Sequence, residues 1–444
     1  MNPPVAPPAF QAHAPKGRLN PQKTIAVLAV IMALQMTSYV MILPLFARRF
    51  EEFGAGVKSL GFSSMAFAVT SAAAAPFMGM LADRLGRRPL VIGSLVSYIA
   101  AFLGFLLAPT ANTLIVVRGL AGAFTVGLVP AITGLASDIA PQQRRAQWIG
   151  YVIGGASFGW VAGPLAGGAL FDGWGFKTAL IVSIGIASLS VLVACLMVPE
   201  SLHPLGHPAV KALQNPTRQQ FRCIQGRLTN LGSVLPKNLP TYFVLLFICF
   251  AVMFAWAFME PEFMFYAYDD LGWSSSMLGL AMSTYGAALM AGEFAFGQLS
   301  DRWGRKPVIL IGLVLFSSQF LGLALFRSYA LLVASFIIAG LGNSLYDPAL
   351  TAAIMDISPS QHRARILGYK HSAGLSGNIL GPALIVLVTS YLGTGSIFLI
   401  STGIVLLATS VGLSLKITPQ PGITQAGQFG QPPPRGELSD LPKI

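Results

Sequence analysis

Charge is scarce in this chain: only 10% of its 444 residues are Asp, Glu, Lys or Arg, against about 25% in soluble domains. A water-facing globular surface cannot be built from so little charge, and with 54% hydrophobic residues the chain is suited to a bilayer. Cysteine is scarcer still. Cys195, Cys223 and Cys249 are an odd count with no CxxC or Cys/His spacing, so neither a disulfide framework nor a metal site is implied. Acidic residues number 16 against 28 Lys and Arg, for a formal charge of +12. That excess does not point to nucleic acid, which needs basic residues gathered on a water-facing element with aromatics among them. Here they occupy short loops between apolar runs. A membrane enzyme or sensor would need a His-rich metal box, a nucleophile motif or a sizeable soluble domain; none stands out, and no cofactor is expected.

What the sequence has in abundance is apolar runs of membrane-crossing length. Residues 1–23 open with Pro3, Pro4, Pro7, Pro8 and Pro15, then Lys16, Arg18 and Lys23, and are expected to be a disordered tail. The run at 24–47 is too long for the apolar region of a secretory signal and lacks a small-residue cleavage site, so it is expected to be the first transmembrane span. Further spans are expected near 62–82, 89–108, 113–136, 148–170 and 178–198. A polar stretch at 199–239, with His203, His207, Lys211, Arg218, Arg222, Arg227 and Lys237, is expected to link two halves. Six more spans follow near 240–266, 277–299, 307–326, 330–354, 366–391 and 396–416, before a Pro, Gln and Gly-rich tail at 417–444. The expectation is an all-α integral membrane protein of twelve transmembrane helices in two six-helix bundles, 24–198 and 240–416. Lys and Arg gather in the loops on one side, which makes that side, both termini and the linker cytoplasmic in a multi-pass cell-membrane protein.

Two loops repeat. Gly79-Met80-Leu81-Ala82-Asp83-Arg84-Leu85-Gly86-Arg87-Arg88-Pro89 matches Gly297-Gln298-Leu299-Ser300-Asp301-Arg302-Trp303-Gly304-Arg305-Lys306-Pro307 at an offset of 218 residues. Without gaps, the same offset aligns Gly122 with Gly340, Pro130 with Pro348, Thr133 with Thr351 and Asp138 with Asp356. It also aligns Pro141 with Pro359, Arg145 with Arg363, Tyr151 with Tyr369 and Gly163-Pro164 with Gly381-Pro382. An even number of spans per copy keeps both copies in one orientation, related by a pseudo-twofold axis along the membrane normal, with room for a site between them.

With these motifs the chain resembles the major facilitator superfamily over residues 24–416. The loop 79–89 is similar to the superfamily motif between helices 2 and 3, and Arg118 followed by Gly122 is similar to its helix 4 motif. Residues 159–168, Gly-Trp-Val-Ala-Gly-Pro-Leu-Ala-Gly-Gly, resemble the helix 5 motif of the twelve-helix drug:proton antiporters. The chain departs from many of those antiporters in having no carboxylate in its first-half spans, so the resemblance locates no proton site there.

The resemblance implies that Asp83 lies near the start of helix 11, where a carboxylate meets unpaired N–H groups and the positive end of the helix dipole. Gly79, Asp83, Arg84, Gly86 and Arg87, with Asp301, Arg302 and Arg305 in the second copy, are thus expected to form a conformational latch, Asp301 sitting against the start of helix 5 near Arg145. The alternative is that these basic loops only enforce topology. Gly155, Gly159 and Gly163 recur every four residues, giving helix 5 a face without side chains, and Pro164 bends it. With Gly167 and Gly168 they form a packing motif, read as a seal against leakage or as ordinary small-residue packing.

Charges within spans are costly, about 2.5–3.5 kcal/mol each on insertion scales, and usually face a cavity or a partner. They are Arg118, Glu260 and Glu262 around Pro261, Glu293, Asp347, and Lys370 beside His371. Gln35, Ser38 and Tyr39 form a polar stripe on helix 1, and Asn343, Ser344, Asp347 and Thr351 form one on helix 10. Gln35, Ser38, Tyr39, Arg118, Glu260 and Asn343 are the expected cavity residues, with Arg118 pairing either with Glu260 or with the helix 1 stripe. Glu293, Asp347, Lys370 and His371 are the expected proton-coupling set, because burial favours a protonated carboxylate and a neighbouring ammonium opposes it. The aromatics of helix 7, Phe247, Phe250, Phe254, Trp256 and Phe258 among them, do not choose a substrate. The reading is a monomeric, proton-coupled exporter of small amphipathic or lipophilic compounds; the alternative of the same fold is a metabolite symporter or facilitator.

Overall fold

The computed structural model describes residues 21–141, 144–199, 236, 238–296, 299–358 and 363–415. Most of the expected N-terminal tail, the expected C-terminal tail and most of the expected linker lie outside them; residues 21–23, expected in the tail, open the first helix. Among the described residues there is no strand, as a chain in lipid requires when every backbone N–H and C=O must be satisfied within its own segment. The first half comprises α1 (Pro21–Ile42), α2 (Leu45–Glu52), α3 (Val57–Leu85), α4 (Arg87–Leu107), α5 (Ala111–Thr125), α6 (Leu128–Ile139) and α7 (Arg145–Met197). The second comprises α8 (Leu239–Phe265) with a π-turn at Tyr266–Asp270, then α9 (Ser275–Phe296), α10 (Leu299–Trp303), α11 (Arg305–Leu325), α12 (Tyr329–Asp356), α13 (Arg363–Val388) and α14 (Thr394–Gly412).

Ten helical stretches among the described residues are long and apolar enough to cross a membrane. One of them, Gln147–Met197, has 51 residues, about twice what a bilayer needs. Gly175 interrupts it with φ 80° and ψ 177°, a backbone region essentially reserved for glycine, and the chain turns back there. The 22-residue α9 lies outside the ten. Large apolar side chains such as Phe77, Leu107, Leu196 and Phe294 are exposed on the bundle, a surface suited to lipid tails rather than water.

Two of the expected spans are kinked while still running as single membrane-crossing stretches, Pro21–Glu52 and Ala111–Ile139. The expected span at 24–47 kinks at Leu43 and Pro44, where Leu43 N donates to Val40 O and Phe46 N to Leu43 O, because Pro44 has no N–H to continue the ladder. The expected span at 113–136 kinks between Thr125 and Leu128, just ahead of Pro130.

The two repeated loops fold alike. Gly86 (φ 95°, ψ 164°) and Gly304 (φ 89°, ψ 154°) take the same glycine-only conformation, which lets α4 and α11 start immediately. Arg87 Nε pairs with Asp138 Oδ2 at 2.6 Å, and Arg305 Nε pairs with Asp356 Oδ2 at 3.0 Å. Arg88 donates to the Cys195 carbonyl at 2.7 Å, and Lys306 donates to the Leu413 carbonyl at 2.6 Å. In both halves a cation therefore satisfies an orphan carbonyl near a helix C-terminus. These loops mark one end of the bundle, called the basic end below; the end carrying α2 and the π-turn is the far end.

Candidate functional site

Glycine spacing positions the wall between the halves. Gly155, Gly159, Gly163 and Gly167 turn towards the backbone of α1, where a Cβ on Gly159 would lie 2.7 Å from Thr37 N and one on Gly163 3.0 Å from Thr37 O. Sequence spacing suggested one close-packed face on this helix; the structure shows a second, where the bare residues are Gly279 and Gly286 of α9. Trp160, Pro164 and Gly168, also four apart, meet α9 across the halves, with a Cβ on Gly286 lying 2.6 Å from the Trp160 carbonyl and Gly279 packed against Pro164. Gly377 and Gly381 repeat the first arrangement on α13 against Phe254 and Phe258 of α8.

Beside this seam lies a cavity of about 400 Å³, walled from the first half by Tyr39, Phe67, Ser71, Arg118 and Trp160, and from the second by Trp256, Glu260, Tyr285, Asn343, Tyr346 and Asn378. Of the expected cavity residues it thus gathers Tyr39, Arg118, Glu260 and Asn343. Gln35 and Ser38 are not in its wall: both are fully buried, and the Ser38 hydroxyl donates to the Gln35 carbonyl at 2.8 Å. They share a helical stripe with Tyr39, but the α1 surface there is covered by packing.

Arg118 is 4% exposed, its guanidinium 4.2 Å from the centre of the Phe46 ring and 5.7 Å from that of Phe67. Its Nε has no hydrogen-bond partner. Arg118 and Glu260 act on each other electrostatically across the cavity, and no ion pair within 4.0 Å joins them or joins Arg118 to the α1 stripe. Ring faces hold the guanidinium where a carboxylate was expected to. Glu262 points elsewhere, accepting from Thr389 at 3.1 Å and Thr394 at 2.7 Å.

Of the expected proton-coupling set, Lys370 Nζ lies 2.7 Å from Asp347 Oδ1 and 2.5 Å from Thr351 Oγ1. Glu293 accepts from Ser157 of the other half at 3.1 Å. His371 is exposed. None of these four lies in the cavity wall. Of the expected latch, Asp301 pairs with Arg305 across the Gly304 turn at 2.5 Å. The side chains of Asp83, of Arg84 and of Arg145, the expected neighbour of Asp301 at the start of α7, lie outside the described residues. Gly79 and Arg302 are exposed.

At the far end the halves are joined by residues that the sequence did not single out. Asp172 of α7 accepts from Ser275 N at 3.0 Å and Ser276 N at 2.7 Å, so a carboxylate from one half caps a helix of the other. The Tyr268 hydroxyl donates to the Pro44 carbonyl at 3.1 Å, and the Arg48 guanidinium sits 4.0 Å from the Tyr268 ring centre.

Comparison with known proteins fits this layout. The Major Facilitator Superfamily model matches residues 25–268 and 241–441. The chain belongs to the major facilitator superfamily. As a member of it, the protein is a multi-pass membrane transporter of small molecules. It is 25% identical over 370 residues to the multidrug resistance protein MdtG of Klebsiella pneumoniae, covering 82% of this chain and 85% of that protein. It is also 25% identical over 377 residues to multidrug resistance protein 2 of Bacillus subtilis, covering 83% and 90%. Among solved structures, human MFSD10, an organic anion transporter, superposes with a TM-score of 0.65 at 18% identity over 89% of this chain and all of that one. A transporter of the POT family superposes at 0.68 with 14% identity, over 88% and 95%. At those identities the likeness is one of fold.

In this superfamily member the Lys370–Asp347 pair gives a stability prediction. Lys370 is 16% exposed at its side chain and Asp347 49%. Asp347→Asn therefore strands the more buried partner and costs about 1–2 kcal/mol after discounting for the exposed carboxylate. Asp347→Asn with Lys370→Met recovers most of that in detergent melting curves; a double variant as unstable as the sum of both singles refutes the coupling.

Proposed function

We propose that the protein is a proton-coupled exporter of small amphipathic or lipophilic compounds, working by alternating access of two six-helix halves around the central cavity. The observation that supports this most is the cavity itself, which lies between the halves, carries aromatic rings from both of them, and holds one carboxylate and one guanidinium. Apolar walls with few polar groups accept amphipathic molecules of varied shape. The halves are read as 24–198 and 240–416, twelve spans related by a pseudo-twofold axis along the membrane normal, with both termini cytoplasmic and the protein acting as a monomer. The contacts repeated at an offset of 218 support the axis, and the basic loops support the orientation. The names of the relatives support efflux of drug-like compounds. On this reading the far end is the outer one, held shut by Asp172 and Tyr268.

Proton coupling is assigned to Glu293 and Asp347. Glu293 bridges the two halves through Ser157, so separating them changes its surroundings. Asp347 is held by Lys370, and a movement that parts them changes its proton affinity. In proteoliposomes, Glu293→Gln and Asp347→Asn are each expected to weaken transport driven by an imposed pH gradient more than exchange without one. Wild-type gradient dependence in both variants would remove these residues from the coupling, and wild-type transport indifferent to the gradient would remove proton coupling altogether.

A further inference from the structure

We propose that Asn343 is a positioning residue that locks an aromatic shelf in the cavity, and that this shelf selects compounds carrying a flat ring about one helical turn from a positive charge. The proposal rests on the transport reading above and names the substrate class of the same cavity.

Trp256 and Glu260 are four residues apart on α8, so they project from one face about 6 Å apart along the helix axis, and both line the cavity. Tyr285 of α9 lies alongside Trp256, with ring centres 6.4 Å apart and planes inclined by 20°. An aromatic side chain on a cavity wall is free to swing unless something holds its tip. Asn343 of α12 does so, its Nδ2 donating to Tyr285 Oη at 2.7 Å. The backbone behind the ring is held as well: a Cβ on Gly340 would lie 2.5 Å from the Tyr285 carbonyl oxygen, so α12 and α9 touch main chain to main chain. Three helices thereby hold two nearly parallel, stacked rings at the cavity wall.

The charge that a ligand meets beside this wall is the carboxylate. Glu260 is partly exposed in the cavity wall and makes no hydrogen bond with a described residue, whereas Arg118 is 4% exposed and covered by Phe46. A ring stacked against this held pair places a substituent one turn away against Glu260, so ring and cation are read together. A flexible aliphatic cation reaches Glu260 but gains nothing from a rigid shelf.

The test uses purified full-length protein and calorimetric binding of two monocations of similar apolar size, 2-(2-naphthyl)ethylammonium and decylammonium. The expected result is a preference of about tenfold for the naphthyl compound. Asn343→Ala and Tyr285→Phe, the second keeping the ring, are each expected to reduce that preference about fivefold by weakening the naphthyl compound alone. The double variant is expected to lose no more than either single. Asn343→Asp, able to accept from the Tyr285 hydroxyl, is expected to restore the preference. Equal weakening of both compounds, or an unchanged preference in Asn343→Ala and Tyr285→Phe, overturns the proposal. If neither compound binds wild-type protein, the proposal falls; gradient-driven transport of other compounds by that same protein would show that the transport reading survives without it.

Discussion

Gly159→Leu lowers the stability of the protein sharply. A Cβ at this position would lie 2.7 Å from the carbonyl carbon of Met36 and 2.7 Å from the amide nitrogen of Thr37, both main-chain atoms of α1 that cannot rotate away. Overpacking a core ordinarily costs about 1–3 kcal/mol because neighbouring side chains yield. Here the neighbours are backbone, which puts the cost at the top of that range, about 3 kcal/mol, or roughly a hundredfold in the folded-to-unfolded ratio. Gly154 is the matched control on the same helix, since nothing lies within 4 Å of a Cβ there. The melting temperature and the monodisperse yield in detergent are expected to fall clearly for Gly159→Leu and to change little for Gly154→Leu. Equal behaviour of the two variants would mean that the glycine face does not set the α1–α7 spacing.

Asp172→Ala releases the far end. The carboxylate accepts two charge-assisted hydrogen bonds from the N-terminus of α9, and these exist only while the halves are together there. Asp172 is exposed, so solvent screening reduces their worth to about 1–2 kcal/mol together. That is roughly a 5- to 30-fold shift towards the state open at the far end. A thiol-reactive dye of low membrane permeability, directed at a single cysteine introduced at Trp160 of the cavity wall, is expected to label faster in Asp172→Ala by a factor in that range. Asp172→Asn, with a weaker acceptor, is expected to fall between. Identical labelling rates would reduce the contact to an incidental cap.

The repeat was legible because the same residue types recur in register, Arg87 with Arg305 and Asp138 with Asp356. Their pairing with each other was not, since Arg87 and Asp138 lie on different helices 51 residues apart and no local period connects them. Arg118, Glu260 and Asn343 stood out because polar groups are few in spans. Trp160, Trp256 and Tyr285 did not, because aromatics recur throughout the spans and nothing in their pattern tells cavity from lipid. Trp256 was within reach, being four residues before Glu260 on the same face. Asp172 was invisible for another reason: it lies near the expected end of a span, where a carboxylate is unremarked, and its partners are backbone N–H groups that leave no trace in side-chain pattern. Gln35 and Ser38 show the opposite failure, a polar stripe that packing covers.

Alternating access stands or falls on whether the two ends move in opposition. Spin labels in a cysteine-free background report both ends by electron double resonance, with Glu52 and Tyr391 labelled for the far end and, separately, Tyr151 and Tyr369 for the basic end; all four are exposed. Changing pH and adding a transported compound are expected to lengthen one distance while shortening the other, and Asp172→Ala to bias both in the sense of far-end opening. Two distances that stay fixed, or that grow and shrink together, would contradict the rocking of two halves around a central site.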